Sequence, residues 1–200
     1  MTRLVLASGN RGKLREFNAL LGGLHLEVLP QAQFNVPEAA ETGLSFVENA
    51  ILKARNAAEH THLPALADDS GLEVDALDGA PGIYSARYAG DGASDEANLR
   101  KLLDDMRAVP EAQRTARFQC VIAVLRHVRD PMPLIAQGTW EGRILFQPTG
   151  ANGFGYDPVF FVPTHGCSSA ELDPDVKNAL SHRGQALRAL YAALSAHKPY

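Results

Sequence analysis

Two adjacent carboxylates close an apolar run in this chain, where Ala65-Leu66-Ala67 gives way to Asp68-Asp69-Ser70-Gly71. Paired charge beside an apolar segment is costly unless a cation or hydrogen bonds compensate it. A hard cation such as magnesium takes one or two carboxylates together with phosphate and water oxygens. A carboxylate at such a point can also orient or deprotonate an attacking water. A plain turn, in which Asp and Ser cap backbone groups, accounts for the same four residues.

Nearer the N-terminus, Ser8-Gly9-Asn10-Arg11-Gly12-Lys13 stands at an expected strand-to-helix junction. Small residues let backbone N–H groups approach an anion, the helix start adds positive potential, and Lys13 adds a full charge. The spacing is not that of the common Gly-x-x-x-x-Gly-Lys-Ser/Thr loop, because Leu14 follows the lysine. A glycine turn with a solvated lysine fits equally. Glu41 and Lys53 flank a second expected helix start and are either members of the same anion and metal site or a loop carboxylate and a solvated lysine.

Gly150-Ala151-Asn152-Gly153-Phe154-Gly155-Tyr156-Asp157-Pro158 sets three glycines around two aromatics. Such a backbone can lie close to a flat ligand, with Phe154 as a stacking surface; a hairpin anchored by its aromatics is the other reading. Lys177 and Ser181-His182-Arg183-Gly184 precede the last amphipathic stretch. Ser181 reads as a helix cap, while His182 and Arg183 can donate hydrogen bonds to the carbonyl oxygens of a base.

The elements that must position these groups follow from periodicity. Leu4 to Ala7 reads as a buried strand, and Leu14, Phe17 and Leu21 recur at helical spacing before Gly22-Gly23. Residues 24–29 alternate like a strand. Ser45 and Glu48 fit a capping box that opens a helix running towards His60. Residues 65–67 predict a short strand, the Asp-Asp-Ser-Gly segment a turn, and 72–74 its return strand. A helix is expected over 94–107 with Ser94 as cap, a long strand over 118–124, and several strands interrupted by turns over 132–146. Leu187, Leu190, Tyr191 and Leu194 share one face of a final helix. Helices interleave with strands that sometimes follow one another directly, which predicts an α/β protein with a mixed sheet.

Composition sets the bounds. The chain has 200 residues, 46% of them hydrophobic and 21% charged, with a formal net charge of -4. That size suits one sizeable domain or two lobes sharing a core. The charge gives no general electrostatic case for nucleic acid or an anionic membrane. The apolar run after Met1 is too short for a signal peptide core, and two cysteines without a Cys/His cluster argue for neither a disulfide framework nor zinc. A cytoplasmic location is expected.

Taken together, these segments resemble the inosine triphosphatase family, the non-canonical purine nucleoside triphosphate pyrophosphatases, and are similar to its bacterial members over nearly the whole chain. The resemblance is carried by Ala7 to Lys13, Glu41-Thr42-Gly43, Glu48-Asn49-Ala50-Ile51-Leu52-Lys53-Ala54 and Ala67-Asp68-Asp69-Ser70-Gly71-Leu72. Gly79-Ala80-Pro81-Gly82-Ile83-Tyr84-Ser85-Ala86-Arg87-Tyr88, Gly153 to Pro158 and Ser181-His182-Arg183-Gly184 complete it in order. It implies a long mixed sheet with flanking helices, two lobes with an active cleft between them, and a homodimer. It implies that residues 8–13 hold the triphosphate with Lys13 and Lys53, and that Asp69 is general base and magnesium ligand with Glu41 and Asp68 in support. Ser70, Phe154, Gly155, Tyr156, Asp157, Lys177, His182 and Arg183 would complete the nucleotide pocket. One local departure stands out: bacterial relatives often carry Lys-Thr where this chain has Cys167-Ser168.

The reaction so implied is hydrolysis of inosine and xanthosine triphosphates to monophosphate and pyrophosphate. Two other readings stand beside it. A Maf-like pyrophosphatase would act on modified pyrimidine triphosphates, against which the Ser-His-Arg-Gly segment argues. A nucleotide-sensing module would turn nothing over, but bare carboxylates beside a triphosphate repel it unless a metal intervenes.

Overall fold

The computed structural model describes residues 2–196, with the side chains of Thr2 and Arg11 outside the description. Strand β1 (Thr2–Leu6) leads through Ser8 and Gly9 into helix α1 (Arg11–Leu21). Asn10 caps that helix, its side-chain oxygen accepting the N–H groups of Gly12 at 2.8 Å and Lys13 at 3.2 Å. Phe17 and Leu21 are fully buried, each burial being worth roughly 1.5–3 kcal/mol. Strand β2 (Leu26–Pro30) returns parallel to β1. It starts two residues later than alternation predicts, because Gly22–Leu24 form a 3-10 turn and His25 takes a left-handed φ of 58°.

Helix α2 (Phe46–Thr61) opens on Ser45, whose hydroxyl accepts the Glu48 N–H. The Glu48 carboxylate accepts from the Leu44 N–H at 2.9 Å and the Ser45 hydroxyl at 2.7 Å, so the predicted cap pair forms, reaching one residue further upstream. Strand β3 (Ala65–Val74) pairs parallel with β1. Here the sequence expectation fails: residues 65–74 are one continuous strand, with no turn at Asp68 to Gly71. Leu72 and Val74 are as buried as Leu66 and Ala67, so the apolar register carries on through the acidic pair. The reversal comes after Val74, at a 3-10 turn (Asp75–Leu77) followed by Asp78 and Gly79 in left-handed conformations.

Helix α3 (Asp95–Asp105) is capped by Ser94 as predicted. Strands β4 (Thr115–Leu125) and β5 (Leu134–Ile144) follow. The second is a single strand where several short ones were expected: burial alternates through Ala136, Gly138 and Trp140 without a break. Short strands β6 (Phe160–Val162) and β7 (Cys167–Ser168) precede helix α4 (Pro174–Leu180), an element periodicity did not announce, with Asp173 as cap and proline in its first turn. Helix α5 (His182–Ala196) ends the described chain.

The sheet has seven strands in the order β2-β1-β3-β4-β5-β6-β7. The β1 pairings are parallel and the β5-β6 and β6-β7 pairings antiparallel, which makes the sheet mixed and the fold α/β. The chain divides into two compact units: Met1–Asp69, Cys120–Gly138 and Gln185–Tyr200 form one, Ser70–Gln119 and Thr139–Gly184 the other. The first has a core of Leu4, Phe17, Ile122 and Leu190 and an alanine-rich layer of Ala50, Ala54 and Ala57 against Val5 and Ala65. The second is centred on Leu72, Leu102, Phe118, Trp140 and Phe160. Among the described residues no helix is long and apolar enough to cross a membrane.

Candidate active site

Successive side chains of a strand point to opposite faces, so Asp68 and Asp69 on β3 face different partners. Asp68, only 2% exposed, pairs with the Lys13 ammonium at 2.8 Å. Asp69 meets Lys53 of α2 at 2.7 Å, and the same ammonium reaches Glu41 at 3.0 Å. Every charge in this group therefore has an opposite charge beside it, which is how buried carboxylates are tolerated.

Glu41 reaches this position because its segment is fastened to the start of α2. Asn49, fully buried, accepts the Gly43 N–H at 2.9 Å. A Cβ at Gly43 would stand 2.6 Å from the Glu48 Cβ, so the chain can lie this close to the helix only as glycine. Asn49 and Lys53 are four residues apart and share a helix face.

Burial raises Asp69 above the usual carboxylate range; Lys53 opposes this, while Glu41 and Asp68 add to it. For Lys53, burial works against its charge, but Asp69 and Glu41 outweigh burial and hold it above its ordinary value. The ion pair thus strengthens the ammonium without lowering Asp69, because burial and two neighbouring carboxylates exceed the pull of one lysine. A carboxylate with raised proton affinity suits a general base.

In the first turn of α1 the Asn10 side chain already takes two of the amides that the anion-loop reading assigns to a phosphate. Ser8 accepts the Asn10 N–H at 3.1 Å, which completes a tight bend around Gly9. Lys13 stands at the end of this bend, while the Arg11 side chain lies outside the described residues.

The second unit gathers the other predicted residues. Asp157, 4% exposed, is a hub: Oδ1 accepts the Ser169 hydroxyl at 2.8 Å, and Oδ2 accepts the Phe154 N–H at 2.8 Å and the Lys177 ammonium at 2.5 Å. Gly153, at φ 82°, passes so close to the Asp157 carboxylate that a Cβ would collide with it. Phe154 is 68% exposed, with the Lys177 ammonium 5.2 Å from its ring centroid. Gly155 donates its N–H to Asp95 at the start of α3, at 2.8 Å. Tyr156, by contrast, is buried and donates its hydroxyl to the Ser85 carbonyl at 2.8 Å. His182 stacks on Phe118 with centroids 4.8 Å apart, and Arg183 follows it in the first turn of α5. The Ser181 hydroxyl accepts the Gly184 N–H at 3.1 Å, which is the predicted cap. Ser70 is half-buried on β3.

Residue types and spacing gave no warning of Ser85, Asp95 or Ser169. Ser85 sits inside a quoted motif, but serine in a glycine-proline turn cluster signals only a turn. Ser169 and Asp95 are recognised by their bonds to the Phe154 loop, which no local spacing encodes.

Among the described residues no three His, Cys, Asp or Glu side chains converge in the manner of an all-protein metal cage. The donor set that does converge is Glu41 with Asp69 at one ammonium. Two carboxylates of this kind fit a hard cation whose remaining ligands are phosphate and water oxygens brought with the substrate.

An α/β fold on a seven-stranded mixed sheet, with two adjacent carboxylates midway along β3 paired to lysines of α1 and α2, defines a candidate hydrolase of anionic substrates. The family model described as "Ham1 family" matches residues 4–193, and the chain belongs to the Ham1 family. A protein of Vibrio parahaemolyticus named "dITP/XTP pyrophosphatase" is 63% identical, over 98% of this chain and 98% of that protein. The solved structure of a HAM1 protein from Coxiella burnetii is 53% identical, with a TM-score of 0.96 over 98% of this chain and all of that one. The Staphylococcus aureus Ham1 protein, 41% identical, superposes with a TM-score of 0.92 over 98% of this chain. These likenesses bear out the family resemblance drawn from the motifs.

Proposed function

We propose that this chain is a nucleoside triphosphate pyrophosphatase that hydrolyses inosine, deoxyinosine and xanthosine triphosphates to the monophosphate and pyrophosphate, and so cleanses the nucleotide pool. The observation that carries the mechanism is the contact of Lys53 with both Asp69 and Glu41, a proton acceptor of raised affinity held beside a cation and a second carboxylate. The names of the relatives support the substrate class, and disfavour the Maf-like and sensing readings.

In this reading Asp69 takes a proton from the attacking water. Lys13 and Lys53 oppose charge on the phosphates beside residues 8–13, where the Gly12 and Lys13 amides reach an anion when the Asn10 side chain gives them up. Magnesium, held by Glu41 and Asp69 with Asp68 in support, would supply charge neutralisation on the departing pyrophosphate when bound. Phe154 offers its exposed face to the base, Lys177 and Asp157 fix the loop that carries it, and His182 and Arg183 donate towards the 6-oxo group. Such donors leave adenine's amino group facing another donor, which disfavours ATP. The whole chain is proposed to work as a single catalytic domain, in a cytoplasmic homodimer; its net charge of -4 favours a small-molecule substrate over nucleic acid or a membrane.

Product analysis tests the reaction class. Inosine triphosphate incubated with magnesium is expected to give monophosphate and pyrophosphate in equal amounts. Accumulation of diphosphate and orthophosphate would contradict it.

A further inference from the structure

Ser85 lies in a 3-10 segment (Gly82–Arg87) and bonds in two directions. Its hydroxyl donates to the Gly82 carbonyl at 2.7 Å and accepts the Leu72 N–H at 2.9 Å. Its own carbonyl accepts the Tyr156 hydroxyl at 2.8 Å. Leu72 is three residues beyond Asp69 on β3, and Tyr156 is two residues beyond Phe154. One serine therefore ties the strand that carries the proposed base to the loop that carries the exposed aromatic.

The segment around Ser85 is itself anchored. Asn98 of α3, buried, accepts the Ala89 N–H at 2.8 Å and donates to the Ala86 carbonyl at 3.1 Å. Tyr156 is buried too, and burial raises its phenol well above the ordinary range, so it remains a neutral donor. Loops are ordinarily the mobile parts of a fold. This one is fastened from behind by a buried hydroxyl at Tyr156, while the Phe154 ring faces outward.

We propose that Ser85 and Tyr156 are a positioning pair that sets the purine-reading loop in fixed register with β3, and so contributes to base discrimination rather than to phosphate binding. The inference rests on the functional reading above. Asp157 and Asp95 hold the outer part of the loop and the Tyr156 hydroxyl its buried end, so removing that hydroxyl shifts the loop against β3 without unfolding it, while the phosphate-facing lysines, which share no bond with it, keep their pairings.

Tyr156→Phe removes only the bridging hydroxyl. Ser85→Ala removes the bond to Leu72, and Ser85→Thr keeps it. Titration calorimetry on each protein would measure affinity for inosine monophosphate and for inorganic pyrophosphate, with kcat/KM for inosine triphosphate and ATP alongside. For Tyr156→Phe and Ser85→Ala, monophosphate binding is expected to weaken at least about fivefold, pyrophosphate binding to change less than about twofold, and the preference over ATP to narrow. Ser85→Thr should restore the wild-type ratio. A fall in thermal midpoint with an unchanged monophosphate-to-pyrophosphate affinity ratio would overturn the positioning role. A wild-type protein that showed no preference among bases would overturn the functional reading and the pairing with it.

Discussion

Lys53 and Asp69 are sixteen residues apart in the chain, yet the ammonium of one stands 2.7 Å from a carboxylate oxygen of the other. The reach depends on what lies beneath. Ala50, Ala54, Ala57 and Ala58 of α2 pack against Val5, Ala65 and Ala67, so small side chains let the helix lie close to the sheet. A lysine on that helix can then meet a carboxylate on the strand, and one turn earlier on the same face Asn49 brings the Glu41 segment to the same ammonium.

Asp69→Asn is expected to lose nearly all turnover while still binding nucleotide. The swap keeps shape but removes the proton acceptor and one negative ligand. Steady-state kinetics with inosine triphosphate check it. Retention of more than about a tenth of wild-type kcat, a loss under ~1.4 kcal/mol, would show that Asp69 is not the base.

Chelation should abolish turnover and leave the fold intact. The site's carboxylates are already paired with Lys13 and Lys53, so the protein needs no cation to hold them. The thermal midpoint with and without chelator should agree within about 2 °C, and a drop beyond about 5 °C would make the metal structural.

Arg114 anchors the second unit and is separate from the chemistry. It is 1% exposed and donates to four carbonyls, those of Met106 at 2.8 Å, Val109 at 3.1 Å, Ile144 at 2.8 Å and Leu145 at 3.0 Å. Met106 is the C-cap of α3, a helix end where a cation is favoured. Arg114→Met leaves these acceptors short, so urea unfolding should show a loss of about 3 kcal/mol or more. A loss under about 1 kcal/mol would mean water replaces the guanidinium.

Arg183→Ala is expected to narrow the preference among purine triphosphates. Kinetics on the inosine, xanthosine, adenosine and guanosine triphosphates would read it. Uniform slowing of all four would assign Arg183 to phosphate or fold.

The helix starts were legible because capping is local: Asn10 excepted, Ser45, Ser94 and Ser181 each announce themselves within four residues. The unbroken β3 was not, since Asp-Asp-Ser-Gly has turn composition and only the burial of Leu72 and Val74 keeps it extended. Glu41 and Lys53 were legible only through the family motifs, because nothing in their spacing says that a helix and a strand bring them to Asp69. Ser85 and Ser169 stayed hidden for the same reason: each acts through a partner far along the chain.

Base selection is the property on which the account stands. The most direct measurement is kcat/KM for a panel of nucleoside triphosphates under one magnesium concentration, with pyrophosphate release as readout. One donor left facing an amino group, adenine's at C6 or guanine's at C2, costs about 1–3 kcal/mol, so two mismatched contacts suffice for a large margin. Inosine and xanthosine triphosphates are predicted to exceed ATP and GTP by at least ~100-fold, about 2.7 kcal/mol. Equal turnover of all four, or a preference for a pyrimidine triphosphate, would contradict the account.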